Sequence, residues 1–279
     1  MSLGRTTSRR SNFFYSFLLL PKQKREAMMR VYDFCRYTDD LVDEDNASIE
    51  EKQERIHKWR EEIEACYKGN ATHPVMLAAS DTIQQFKIPK EYLLILTNGV
   101  EMDLHQTRYE TSEELSKYCY AVASVVGLIS IQVFGYKHEE TREYAIQLGY
   151  ALQLTNILRD IKQDAANNRI YLPLEDLQKF GYDEQSLLSA RYDEKFIQLM
   201  KFETERARNY YLKARSLLQP DERSSMIAAE IMDAIYFSLL NKIERANYNV
   251  FAERIRISNP QKMLITLNCW LQNRLRLPR

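Results

Sequence analysis

The sequence predicts an all-α protein folded as a single domain over residues 1–279. Apolar residues recur at spacings of three and four almost throughout, the helical period. Only 7 Gly and 7 Pro occur, so turns are scarce and an all-β architecture is disfavoured. No break resembles an interdomain linker, and no fixed-period repeat appears.

From Pro21, suited to a first helical position, the stripe Met28, Tyr32, Cys35, Asp39, Val42 defines a helix ending near Glu44–Asp45–Asn46. Ser48 opens the next, with Glu51 three residues on as a capping box. Helices are then expected over 49–68, 75–86, 90–107, 112–134, 139–164, 173–180, 183–188, 193–218, 220–251 and 260–275. The breaks between them fall at 69–74, 88–89, 135–138, 165–172, 181 and 258–260.

Composition removes several function classes. A hydrophobic share of 45% excludes a disordered chain. Lys and Arg total 39 and so do Asp and Glu, leaving no positive excess to replace phosphate counterions; nucleic acid is not an expected partner. Neither GxGxxG nor GxxxxGK[ST] occurs. Cys35, Cys66, Cys119 and Cys269 show no CxxC spacing and read as reduced core thiols, and His57, His73, His105 and His138 show no zinc pattern. Arg5, Arg9 and Arg10 precede a short apolar run over 13–20. Pro21-Lys-Gln-Lys-Arg25 follows it instead of small residues, so no signal peptide is expected. The longest apolar stretch, 121–136, is broken by Ser124, Ser130 and Gln132 and falls short of the ~20 residues of a membrane span. A cytoplasmic protein is expected, with peripheral membrane contact as its furthest excursion.

The carboxylates carry the chemistry. Asp39 occupies the apolar stripe of its helix where a leucine is expected, with Asp43 four residues on and Arg36 three before, all on one face. Further along, Gln153, Asn156, Asp160 and Asp164 fall within about 80° of arc on their helix. Tyr150, Ala151, Leu154, Ile157, Leu158 and Ile161 surround that strip. One Asp–x–x–x–Asp is ordinarily solvated surface. Two of them, each set into an apolar face, point to helices that share a polar cavity, because isolated buried carboxylates are costly. No opposite charge lies in the second strip, so its carboxylates need neutralising from elsewhere. Facing carboxylates suit Mg²⁺, a hard cation that shares its shell with substrate phosphates.

At this point the residues resemble a known family. The run FFYSF from Phe13, YDFCRYTDDLVD from Tyr32, YCYAVA from Tyr118, QLTNILRDIKQD from Gln153 and RIYLP from Arg169 are similar to the squalene/phytoene synthase family, in its order and spacing. The resemblance implies the all-α isoprenoid synthase bundle around a central cavity. It implies Asp39, Asp43, Asp160 and Asp164 as the aspartates that hold Mg²⁺ (or Mn²⁺) and diphosphate, with Asn156 beside them. Gln153 and Asn156 match its cavity-lining amides, and Arg36 and Arg159 its phosphate-binding arginines. Tyr118 matches a tyrosine that handles a proton or a carbocation; Tyr32, Tyr236 and Arg254 complete the substrate contacts. Of the 18 tyrosines, Tyr120 and Tyr171 also have faces able to steady a cation.

The activity implied is head-to-head (1′–1) condensation of two prenyl diphosphates. Asp39–Asp40 and the tail 250–258 resemble the branch that takes two farnesyl diphosphates to presqualene diphosphate, on a squalene, hopanoid or carotenoid route. The alternative is a phytoene synthase using two geranylgeranyl diphosphates. A reducing cofactor, NADPH, is not favoured. A downstream pathway enzyme is an expected partner. Two other readings compete: a non-catalytic helical scaffold with relic acidic strips, and a head-to-tail elongase, whose compact DDxxD is absent from the second motif. The segment 263–276 mixes Leu264, Ile265, Leu267, Trp270 and Leu271 with Arg274 and Arg276, and reads as a last core helix or an interfacial one.

Overall fold

The computed structural model describes residues 12–43 and 47–275, with side chains from residue 14 onward. Arg5, Arg9, Arg10, the side chain of Phe13, the end of the first acidic motif (Glu44, Asp45, Asn46) and Arg276 lie outside these. Among the described residues every regular element is helical: α1 (Asn12–Phe17), α2 (Lys22–Asp43), α3 (Ile49–Tyr67), α4 (Pro74–Gln85), α5 (Lys90–Met102), α6 (Ser112–Cys119), α7 (Val125–Phe134), α8 (Glu140–Ala166), α9 (Leu174–Lys179), α10 (Glu184–Leu188), α11 (Glu194–Leu217), α12 (Ile227–Arg245) and α13 (Asn259–Leu275).

The local signals mostly hold. Ser48 and Glu51 form the expected capping box on α3, with Glu51 N donating to Ser48 Oγ at 3.2 Å and Ser48 N to Glu51 Oε2 at 2.8 Å. The long helix α8 runs through the middle, packed against α11, α7 and α12, with α2 beyond α7. Its apolar face (Ala151, Leu154, Ile157, Leu158, Ile161) is buried, so its acidic-amide strip is turned away from the solid core. Trp59 Nε1 donates to the buried Thr38 Oγ1 at 3.0 Å and ties α3 to α2.

Three expected helices are corrected. The helix over 90–107 ends at Met102, where Asp103 turns inward to be hydrogen-bonded by tyrosines from other segments. The helix over 112–134 is interrupted by a π-helical turn, Tyr120–Ser124, which changes the azimuth of everything after it. That turn is wedged between two glycines. A Cβ on Gly99 of α5 would come within 2.6 Å of Ala121 Cβ, and one on Gly149 of α8 within 2.4 Å of Ser124 Cα. The helix over 220–251 shrinks to α12. At its start Glu222 folds inward to accept from the amides of Lys137 and His138 and from the Thr141 hydroxyl. At its end Asn247 and Tyr248 take positive φ, and Tyr248 N donates back to Ile243 O at 2.9 Å.

By length and composition the run Ser112–Phe134 is apolar enough to cross a membrane, contrary to the shorter span read from 121–136. In this fold more than half of its most apolar 18-residue stretch is buried against neighbouring helices, as in the central helix of a globular core.

Candidate active site

A cavity of about 410 Å³ opens between α2, α7, α8 and α12. Its walls are apolar, with Val31, Val126, Ile131, Leu148 and Met232 among them. The polar groups gather at Arg36 and Asp39 on α2 and at Gln153 and Asn156 on α8; Tyr32 and Tyr236 line it as well. Six of the residues singled out from sequence therefore converge on one space. Side chains three and four apart on two facing helices make this inevitable once α2 and α8 pack around the same void.

Asp39 is open to the water of the cavity yet walled in by protein. Burial, followed by the charges of Asp43, Asp40 and Asp103 and opposed by Arg36, pushes its carboxyl up to about 7. Asp43, Asp160 and Asp164 do not line the cavity; Asp164 lies beside Arg169 and Tyr171, where burial and the neighbouring Asp160 push it up to about 7, against the pull of Arg169 and with Asp103 again adding to the rise. Excess negative charge is thus shared by two helices and by Asp103. Asn156 Oδ1 is buried and, among the described residues, has no hydrogen-bond partner. An orphaned carbonyl oxygen beside crowded carboxylates is a donor set for a hard cation.

The residues present therefore fit Mg²⁺, although no three acidic, His or Cys side chains among the described residues draw together into a ready-made metal centre. Mg²⁺ typically takes one or two carboxylates and fills its remaining positions with water and substrate phosphate, and uncompensated carboxylates hold one another apart.

Asp160 finds, outside its own strip, the neutralising charge that the sequence reading required. Its Oδ1 accepts from Arg159 Nε at 2.9 Å and from Arg254 Nε at 2.9 Å, and Arg159 Nη2 reaches Oδ2. The neutralising charges come from the adjacent residue folding back and from the loop before α13. Arg159 also meets the Tyr236 hydroxyl. Arg36 pairs with Asp40 at 3.0 Å, both well exposed, a contact that solvent keeps weak. Asp43, exposed at the end of α2, makes itself felt at Asp39, Asp103 and Arg169 through its charge.

Tyr118 does not line the cavity. It is buried one turn before Val122, and its hydroxyl donates to Asp103 Oδ2 at 3.1 Å. Tyr171 donates to Asp103 Oδ1 at 2.9 Å, and Arg169 Nη2 to the Asp103 carbonyl at 3.3 Å. Tyr109, Tyr118 and Tyr171 stack in a cluster, with centroids 5.3–5.8 Å apart. Burial, then the Asp103 charge, hold the Tyr118 phenol well above its ordinary value, so it stays protonated. Tyr120 is half-buried in the π turn and does not line the cavity.

Sequence reasoning missed two members of this site. Asp103 carries no motif of its own: it sits just past a helix end in the unremarkable run Glu101-Met-Asp103-Leu. Lys262 on α13 is buried, lies over the Tyr15 ring at 5.5 Å and has no carboxylate partner among the described residues. Burial and then the neighbouring Arg159 hold its ammonium below the ordinary lysine value. Only the return of the chain places it beside Arg159.

Comparison with known proteins closes the description. A model of the squalene/phytoene synthase family matches residues 6–261. The chain is 38% identical over 272 residues to the 15-cis-phytoene synthase of Synechocystis sp., covering 93% of this chain and 80% of that one. It is also 38% identical over 268 residues to the phytoene synthase of Arthrospira platensis, covering 90% and 85%. Among solved structures, a dehydrosqualene synthase bound to a ligand superposes with TM-score 0.86 at 27% identity, over 96% of this chain and 94% of that one. The squalene synthase HpnC from Alicyclobacillus acidocaldarius superposes with TM-score 0.79 at 28% identity, over 87% and 92%.

Proposed function

Since the chain belongs to the squalene/phytoene synthase family and is a prenyltransferase, we propose that it condenses two geranylgeranyl diphosphates head to head to phytoene. The observation that carries the C20 reading is the 38% identity to two phytoene synthases over nine-tenths of the chain. This reverses the preference for farnesyl diphosphate drawn from Asp39–Asp40. Asp39 stands at the polar end of the cavity, where it meets a diphosphate common to both substrates, and Asp40 is exposed beside Arg36. Chain length is sensed by the apolar depth, built from helices scattered along the sequence.

In this reading Asp39, Asp43, Asp160, Asp164 and Asn156 hold Mg²⁺, for which Mn²⁺ substitutes, and the ion supplies Lewis acidity toward the leaving diphosphate. Arg36, Arg159, Arg254 and Lys262 grip the two diphosphates, with Gln153, Tyr32 and Tyr236 around them. Guanidiniums hold phosphate oxygens in a planar fork, and a diphosphate entering the site exchanges for Asp160 as the partner of Arg159 and Arg254. The allylic C–O bond of one substrate breaks and its diphosphate leaves. The 2,3-double bond of the other substrate attacks the resulting C1 cation, and loss of a C1 proton closes a cyclopropane; departure of the second diphosphate, ring opening to a 1–1′ bond and loss of one more proton then give phytoene. The apolar walls exclude water, which would otherwise capture the cation. Tyr118 stands behind the cavity wall with its phenol proton already shared with Asp103, so a proton reaching its oxygen is matched by passage of its own to Asp103.

The test is incubation of the purified protein with Mg²⁺ and either farnesyl or geranylgeranyl diphosphate, with and without NADPH. A C40 product from geranylgeranyl diphosphate without NADPH supports the reading. C30 products made in preference to any C40 product overturn it in favour of the farnesyl branch, to which the dehydrosqualene synthase likeness belongs.

A further inference from the structure

Helix α13 has its polarity inverted. The residues it turns inward are Lys262, Thr266 and Cys269. The residues it turns outward are Met263 (49% exposed), Leu264 (66%), Leu267 (50%), Trp270 (40%), Leu271 (43%) and Leu275 (64%). These six account for more than half of the large apolar side chains exposed among the described residues. They fall within about 140° of arc on the helix. A helix that merely closes a core points its leucines the other way.

The charge around this stripe has one sign. Residues 259–279 contain Lys262, Arg274, Arg276 and Arg279 and no acidic residue. Arg274 lies in the stripe itself, its guanidinium 5.8 Å from the Trp270 ring. A groove between α12 and α13, lined by Ile257, Leu264 and Ile265, is flanked by Lys242 and Arg245. The exposed Arg245 and Arg256 have no carboxylate partner among the described residues.

We propose that α13 lies in the plane of an anionic lipid bilayer, with its leucines and Trp270 at the acyl boundary and Arg245, Arg256 and Arg274 at the headgroups. Leu, Trp and Arg on one face of a helix are the composition of such an interfacial element, and long basic side chains reach back to the phosphates from an apolar stripe. The inner side of α13 packs on α1 and α12, whose Ser16, Phe17, Ala228, Ala229, Met232 and Tyr236 wall the cavity. Docking therefore sets the cavity one helix away from lipid. For the hydrocarbon product of the proposed reaction, that is the shortest route out of water.

The test measures sedimentation of the full chain with vesicles of phosphatidylcholine alone and of phosphatidylcholine mixed with phosphatidylglycerol. Binding to the mixed vesicles, weakened by salt, is expected, and Leu264→Glu combined with Leu267→Glu should lower it by about a hundredfold. Trp270 gives a readout on the unmodified protein. The only other tryptophan, Trp59, is buried, so a blue shift with mixed vesicles and quenching by brominated lipid report the stripe. No wild-type binding, equal binding by the double variant, or no change in tryptophan emission overturns the proposal. So does a dimer in gel filtration that the double variant dissociates, if vesicles are not bound; the stripe is then an interface between copies. None of these readouts depends on turnover, so they stand or fall apart from the substrate assignment.

Discussion

The Tyr118 hydroxyl donates its proton to Asp103, 3.1 Å away, and Asp103 holds Tyr171 on its other oxygen. The tyrosine matched by family resemblance is thus one half of a hydrogen-bonded pair whose other half has no sequence signature. Asp103 also adds to the charge felt at both Asp39 and Asp164, so it links the two acidic motifs electrostatically. Asp103→Asn keeps the shape and removes that charge. Turnover should fall by roughly 10²–10⁴-fold, the range of a lost acid–base contribution, with little change in substrate affinity. Tyr118→Phe should fall with it, and the double variant should be no worse than the worse single. Steady-state kinetics on the three proteins checks this; additive losses would separate the residues.

Asp39→Asn and Asp160→Asn should each lower turnover by roughly 10²-fold or more, because Lewis-acid stabilisation of the leaving group is worth several kcal/mol. Circular dichroism should show the fold intact, since Asp39 borders an open cavity and a carboxamide oxygen at position 160 still accepts from Arg159 and Arg254. Near-normal activity in either variant would remove it from the metal site.

Gly149→Ala should destabilise the protein by about 1–3 kcal/mol, the usual cost of overpacking. Its new methyl would meet Ser124 Cα, N and Oγ inside 3 Å, and Ser124 is pinned by its own bond to Ile146 O at 2.9 Å. The π turn has nowhere to retreat, because Gly99 closes it from the other side. Thermal unfolding reads the loss directly, and a variant as stable as the parent would show that the turn can shift.

Glu203 is buried against Arg206 and Asp176, with Arg206 Nη1 at 2.7–2.8 Å from both carboxylates. Burial, opposed by Arg206 and aided by Asp176, pushes Glu203 from its ordinary 4.5 up to about 8. Two acids sharing one guanidinium keep a proton. The folded state binds that proton across this window and the unfolded state does not, so stability falls as pH rises from about 4.5 to about 8. Glu203→Gln should flatten that fall and be the more stable protein at pH 9. Melting curves at pH 5, 7 and 9 test it; parallel pH profiles for parent and variant would count against a shared proton.

The helical period, the capping box at Ser48 and the two Asp–x–x–x–Asp strips determined on their own that this is a helical protein with acidic residues set into apolar helix faces. These are local properties: residues three and four apart share a face whatever the rest of the chain does. Tertiary structure alone decided what those faces meet. The π turn at Tyr120–Ser124 depends on Gly99 and Gly149 meeting it from two other helices. Asp103 becomes part of the site because Tyr118 and Tyr171 reach it from distant segments, and Lys262 because α13 returns beside Arg159. Asp160 is neutralised by Arg254, 94 residues away. Cavity depth likewise belongs to α2, α7, α8 and α12 together. Sequence pattern records a residue's own helix face. Which faces meet is fixed by packing between helices, and packing leaves no period to read.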